Sequence, residues 1–394
     1  MRFLEHQGKK LLAEFGIPVT QAVIVDSAEA ARACFVDLGG AVVLKAQVPF
    51  GGRGKAGAVK FAVTAEEAFA AAKTLLGMEL RGHRVAQISV ERKIEFQREF
   101  YAGIVWDTAQ KCPVALLSDA GGIEVESTDR IVKRAFDPWK GLHAFEGREM
   151  AAELGLEGKL LTAVGQFLAQ LAQAFLAIDA LTLEVNPMVE TAEGVLLGLD
   201  AHVEMDDDAV WRQKSRLASL GPVSSAVGGR QPTHLEKEAQ RIDSLDHRGV
   251  AGRVVEFDGD LGLLIGGGGA SLTVFDAIQR HGGKPANYCE VGGNPTEEKV
   301  AALTELLLSK PGVSHLAVIM NVVNNTRADV MARGVLAGVK KAGAIPSRAI
   351  SVFRIPGSWE QEARQLLAEE GVIALGREIS LDEAARLAVE RSKS

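Results

Sequence analysis

The chain has 394 residues, too many for one hydrophobic core and enough for two. With 47% hydrophobic and 24% charged residues it reads as a folded globular protein rather than a disordered one. A net charge of −7 without a local basic patch argues against nucleic acid or an anionic membrane as partner. The three cysteines, Cys34, Cys112 and Cys289, show neither a disulfide framework nor zinc-ligand spacing. The opening residues lack the apolar run of a signal peptide, and no stretch reaches the ~20 apolar residues of a bilayer span. A cytoplasmic protein is expected.

Apolar residues at helical spacing over His6–Phe15, stopped by Gly16 and Pro18, predict a short opening helix. A strand over Ala22–Val25, a helix over Ser27–Phe35 capped by Ser27, and a strand over Ala41–Lys45 follow. Beyond the Gly-rich stretch 51–57 come a strand at Val59–Phe61, a helix over Ala65–Gly77, and strands over Val85–Glu91 and Glu99–Val105. The pattern is helical from Arg148 to Ala177, then come paired strands at Leu181–Val185 and Val195–Asp200. Mixed charge with Gly and Pro punctuation over Val210–Gly249 marks a boundary. From Gly262 onward, five units of strand, Gly-rich turn and helix succeed one another, the pattern of a doubly wound parallel sheet. The expected class is α/β, with domains at 1–212 and 250–394 and a linker over 213–249.

Two segments carry groups suited to chemistry. In Lys45–Gly57 glycines let backbone N–H groups approach oxygens, and Lys45, Arg53 and Lys55 add positive charge; the stretch is either a phosphate-covering loop or an exposed hairpin. It is not a Walker A motif. Glu184, Asn186 and Asp200 fall on consecutive strands, where their oxygens could meet across a hairpin and hold a hard cation, or else form a solvated edge. Leu183 and Val185 flank Glu184, and a carboxylate in so apolar a strand calls for a partner. The Gly-rich turns at 266–269 and 292–293 each precede a helix start, a place that binds anions or is an ordinary turn.

Lys45–Gly57, Val90–Glu99 and Leu183-Glu184-Val185-Asn186-Pro187 resemble, in order and spacing, successive motifs of the succinyl-CoA synthetase beta subunit. The opening Glu5–Leu12, Gly282–Asn287 and Val291–Gly293 resemble further parts of that family. The resemblance implies an ATP-grasp domain over 1–212 and a flavodoxin-like CoA-ligase domain over 250–394. It implies that Lys45, Gly52, Arg53 and Gly54 contact the ATP phosphates, and that Glu91, Ile94 and Glu99 line the adenine and ribose side. It further implies that Asn186 and Asp200 hold Mg²⁺. In the family an alpha subunit carries a phosphorylated histidine and most of the CoA contacts, and Glu184 matches the acid that orients that histidine. This chain's eight histidines offer no Gly-rich helix-start context for such a role, so each reads as a surface or packing residue.

The acid pocket departs from the family. Gly266 stands where succinyl-CoA synthetase has an asparagine, and Asn324-Asn325-Thr326 replaces its Gly-Gly-Ile turn. Both changes resemble ATP-citrate lyase and citryl-CoA synthetase. Gly266, Gly267, Gly268, Asn324, Asn325 and Thr326 are therefore the expected acid contacts, for succinate or a related di- or tricarboxylate, hydroxy acid or sulfonate. Thr326 could instead simply cap the next helix. Two other functions stay open: a single-chain ATP-grasp carboxylate–amine ligase, and a non-catalytic nucleotide sensor.

Overall fold

The computed structural model describes residues 1–122, 130–221, 232–248, 254–266 and 268–393. It divides into two compact units, Met1–Gln231 and Pro232–Ser394. The stretch read as linker contributes a helix to each, Lys214–Leu220 and His234–Asp243.

In the first unit a four-stranded antiparallel sheet runs in the order Val23–Val25, Ile88–Arg92, Val42–Ala46, Val59–Ala62. Helices Ala28–Leu38 and Ala65–Leu75 cover one face and share a core with Val42, Leu44, Ala46, Ile88 and Val90. Each helix starts where a hydroxyl accepts a backbone N–H, Ser27 from Ala30 and Thr64 from Glu67. A second antiparallel sheet is built on two 12-residue strands, Phe96–Asp107 and Ala180–Thr191. Leu196–Gly198 and Ala201–Met205 both pair with Ala180–Thr191, on the edge away from Phe96–Asp107. Cys112–Ser118 and Ile131–Ala135, which the sequence reading missed, extend the other side.

The stretch over 148–177, expected to be helical, forms two helices, Ala144–Glu153 and Gly158–Ala177. Gly155 at φ +78° turns the chain between them, a conformation that ends a helix. Among the described residues, Gly158–Ala177 is the one helix long and apolar enough to cross a membrane. Its Val164, Phe167, Leu168, Leu171 and Phe175 are buried in the first unit's core.

In the second unit Leu261–Gly266, His315–Met320 and Ile350–Arg354 form a parallel ladder with His315–Met320 in the middle. Isolated parallel bridges, Ile265 to Glu290 on one side and Phe353 to Ala374 on the other, extend this to the flavodoxin-like order 2-1-3-4-5. The second and fifth expected strands shrink: Asn287–Tyr288 ladders only with Val255–Glu256, antiparallel, and Val372–Leu375 makes a single bridge. Helices Glu297–Ser309 and Ala328–Lys341 pack against each other through Gly334 and Gly338.

Candidate functional site

Alternation along Val42–Ala46 decides which groups meet the cleft. Val42, Leu44 and Ala46 point into the helix-covered core, leaving Val43 and Lys45 on the opposite face. On the neighbouring strand Glu91 lies opposite Val43, and Ser89 opposite Lys45. The Gly-rich loop then brings Arg53 back, its Nη1 donating to the Ala46 carbonyl at 3.1 Å.

Val43, Lys45, Arg53 and Glu91 line a cavity of about 570 Å³ between the two sheets of the first unit. Lys45, Gly52, Arg53 and Gly54 form its polar end, while Val43, Val59, Phe61, Ile94 and Pro187 provide apolar wall. Phe61, 64% exposed, presents its aromatic ring on that wall. A polar end that carries cations and an apolar slot of this size suit a phosphorylated planar molecule. Glu99 lies against Gly121 and Gly122, the latter a wall residue.

Behind the cations is a buried ion network. Lys45 Nζ donates to Glu5 Oε1 at 2.7 Å and to the Leu199 carbonyl at 2.6 Å, and lies 3.4 Å from Glu91 Oε2. Arg53 Nη2 bonds both oxygens of Asp200, at 2.7 and 2.6 Å, while Nη1 lies 2.6 Å from Glu5 Oε2 as an ion pair without hydrogen-bond alignment. Lys9 Nζ closes the network on Glu5 at 2.6 Å and Glu91 at 2.7 Å. Burial alone would pull the Lys45 ammonium down; Glu5, Glu91 and Asp200 outweigh it and hold its pKa above the ordinary lysine value. Lys9 goes the other way, because burial wins there and lowers it. Glu91 is thus engaged by Lys9 and Lys45, on the cationic side of the cavity.

A second cavity of about 670 Å³ shares Gly52, Arg53, Asn186 and Asp200 with the first and adds Tyr101, Glu184 and His202. Glu184 pairs in register with Gly103 on one side and His202 on the other. Tyr101 Oη donates to Glu184 Oε1 at 3.1 Å. Gly103 makes this possible, because a Cβ there would lie 2.6 Å from the Tyr101 oxygen. Burial first, and then the Glu184 charge, push the Tyr101 phenol well above its usual pKa, so it remains a donor.

Register also brings Asn186 and Asp200 together: Val185 pairs with Ala201 and Met188 with Gly198, which sets 186 opposite 200. Asn186 accepts from the Gly122 N–H at 2.6 Å and donates to the Gly122 carbonyl at 3.1 Å. One amide and one carboxylate oxygen are a donor set that suits Mg²⁺, which keeps waters and phosphate oxygens as its other ligands. Among the described residues no group of three His, Cys, Asp or Glu side chains could hold a metal by itself.

In the second unit Gly267 lies outside the described residues. The Gly268 N–H donates to Glu290 Oε1 at 2.9 Å, so this turn already holds one of the chain's own carboxylates. Glu290 Oε2 accepts from Tyr288 at 3.1 Å and from Ser271 at 3.3 Å. At Gly266 a Cβ would meet the Val291 carbonyl at 2.8 Å and Met320 Cε at 3.0 Å, so an asparagine would not fit there unless both moved. Thr326 Oγ1 accepts from the Asn294 N–H at 3.0 Å, and the Asn325 amide stands near Gly293. The two turns therefore come together. Thr326 is not a helix cap, because the helix Ala328–Lys341 takes Arg327 in that position.

A model of the ATP-grasp domain matches residues 2–190, and one of the ATP citrate lyase citrate-binding domain matches residues 230–353. The beta subunit of ADP-forming succinate–CoA ligase from Rubrobacter xylanophilus is 36% identical over 402 residues, covering 100% of this chain and 99% of its own length. The chain belongs to the succinate–CoA ligase beta-subunit family. A GDP-forming family member from Thermus thermophilus is also 36% identical, over 93% of both chains, so identity does not discriminate the base. ATP citrate lyase from Methanothrix soehngenii, solved with citrate and coenzyme A, shares the fold with a TM-score of 0.78 at 22% identity, over 99% of both chains. A beta-type ligase subunit implies an alpha-type partner.

Sequence reasoning for this beta-subunit family member missed Glu5, Lys9, Tyr101 and His202. Glu5 and Lys9 stand four apart on one helical face, and both are buried in the helix Glu5–Glu14, as is Gln7 between them. Polar residues on the buried side of a helix were the available signal. His202, read as a surface or packing residue, lines the second cavity beside Glu184.

Proposed function

We propose that the chain is the nucleotide-binding half of an ADP-forming acid–CoA ligase that converts acid, CoA and ATP into acyl-CoA, ADP and phosphate. The observation that carries this reading is the pair of cavities meeting at Arg53, Asn186 and Asp200, with phosphate-suited cations in one and Glu184 in the other. Lys45 and Arg53 would bind the nucleotide phosphates and neutralise their charge. The apolar wall from Val43 to Pro187 would take the base. Asn186 and Asp200 would hold Mg²⁺, which supplies further charge neutralisation at the phosphates. In the second cavity Glu184, fixed by Tyr101, would accept a hydrogen bond from the far ring nitrogen of the alpha partner's histidine. That orients the near nitrogen toward the γ-phosphate and stabilises the imidazolium as it forms. The phosphohistidine then carries the phosphoryl group to the acid, and CoA, bound mainly by the partner, displaces phosphate from the acyl phosphate.

For the acid, amide and hydroxyl groups of the Asn324–Thr326 turn and the match to a citrate-binding domain favour a substrate with oxygens beyond those of succinate. The deciding experiment assays CoA-dependent ADP formation with and without the alpha partner, on succinate, malate, citrate and sulfoacetate. Turnover is expected only with the partner. Amine-dependent ADP release by the chain alone would replace this reading with a carboxylate–amine ligase.

Tyr101→Phe removes the donor to Glu184 and leaves the ring in place. Its expected effect is a several-fold fall in partner-dependent kcat with unchanged KM for ATP, measured by steady-state kinetics.

A further inference from the structure

We propose that Glu5 is a positioning residue for phosphate binding, its one buried carboxylate fixing Lys45 and Arg53 at the spacing in which both reach the nucleotide. The inference rests on the nucleotide reading above and extends it to a residue of the opening helix. Lys45 comes from a strand and Arg53 from the Gly-rich loop after it, and neither element sets the separation of two long, flexible side chains. Glu5 spans them, with Oε1 at 2.7 Å from Lys45 Nζ and Oε2 at 2.6 Å from Arg53 Nη1.

The Glu5 side chain is 1% exposed, so solvent screens little there, and two cations brought this close repel unless an anion lies between them. Three carboxylates, Glu5, Glu91 and Asp200, face three cations, Lys9, Lys45 and Arg53. Glu91 pairs with Lys9 and Lys45, and Asp200 with Arg53; of the three, Glu5 alone pairs with both Lys45 and Arg53. Lys9, one helical turn along, holds the same Glu5 oxygen at 2.6 Å and keeps the carboxylate from swinging away. Burial opposes the Glu5 charge, yet Arg53, Lys45 and Lys9 together hold its carboxyl well below the usual range. Helix packing locates this helix independently of any ligand, since Leu11 and Leu12 are buried in the first unit's core. The spacing of the two cations is therefore set before a nucleotide arrives.

The test compares MgADP with adenosine on the full-length chain, by calorimetry for the first and ligand-observed NMR for the second. Glu5→Gln is expected to weaken MgADP by roughly tenfold or more, as charge-assisted contacts that order both cations are lost. Adenosine, which has no phosphate, is expected to bind as before, and Glu5→Asp to recover part of the MgADP loss. Should Glu5→Gln fail to fold with three cations against two carboxylates, Glu5→Gln/Lys9→Met restores the balance and carries the same expectation. Equal losses for MgADP and adenosine would assign Glu5 a structural role only, and undiminished MgADP binding would remove it from phosphate positioning. Failure of the unmodified chain to bind either MgADP or MgGDP would overturn the nucleotide reading, and this inference with it.

Discussion

Glu184→Gln is expected to lower partner-dependent ADP formation by about a hundredfold or more and to leave MgADP affinity unchanged. The two halves of that expectation have separate structural reasons. Glu184 lines the second cavity and is not among the groups around the first, so nucleotide binding does not draw on it. Its neighbours Leu183 and Val185 are fully buried, and the strand Ala180–Thr191 is held on both edges, so the side chain has a fixed origin. Glutamine keeps an oxygen for the Tyr101 hydroxyl, so the local fold is retained while the negative charge is lost. On the proposed mechanism that charge would act only when an imidazole becomes positive during transfer, which is why kcat rather than binding should fall. Parallel measurement of kcat at saturating ATP and of MgADP affinity decides the matter. An unchanged kcat, or a fall in kcat matched by an equal loss of affinity, would remove Glu184 from this role.

Lys45, Arg53, Glu184, Asn186 and Asp200 were legible in the sequence as a cationic Gly-rich stretch and a polar cluster on consecutive strands, and the resemblance to the beta-subunit motifs supplied their expected roles. The structure gathers all five around two adjoining cavities. Glu5 and Lys9 were not legible as site residues, since their partners Lys45 and Glu91 lie 40 and 82 positions along the chain. Local pattern carries no information about such closures. Tyr101 was read only as part of a strand, and its bond to Glu184 depends on the absent side chain at Gly103 across the register. In the second unit the strand, turn and helix rhythm was plain, but the lengths of the outer strands were not. Ala286–Cys289 ladders through only two residues, and Val372–Leu375 makes a single bridge and buries only Val372, and hydropathy alone does not set such strand lengths. The break at Gly155 was missed because the flanking apolar period continues on both sides of it.

Gly338→Val is expected to remove the folded state of the second unit and leave the first intact. The helices Glu297–Ser309 and Ala328–Lys341 approach so closely that a Cβ at Gly338 would lie 2.4 Å from the Ala301 carbonyl oxygen and 2.5 Å from Thr304 Cβ. One turn earlier, a Cβ at Gly334 would meet Val300 Cβ at 2.6 Å and the Glu297 carbonyl at 2.9 Å. The obstacles are backbone and β-carbons, which have no rotamer to yield, so the helices would have to separate. Overpacking costs about 1–3 kcal/mol where neighbours can adjust, and more where backbone must move, against a domain stability of roughly 5–15 kcal/mol. Separating these helices also opens the core that Val300, Leu303, Val335 and Val339 share with Leu316 and Val318 of the central strand. Gly269→Ala is the matched control: its added Cβ meets nothing within 4 Å, and the position is the first residue of a helix. Hydrogen exchange read on two peptides distinguishes the outcomes. In Gly338→Val the amides of Leu316–Met320 should lose protection while those of Phe100–Val105 keep it, and in Gly269→Ala both should stay protected. Retained protection at Leu316–Met320 in Gly338→Val would mean that the two helices can move apart without loosening the sheet beneath them.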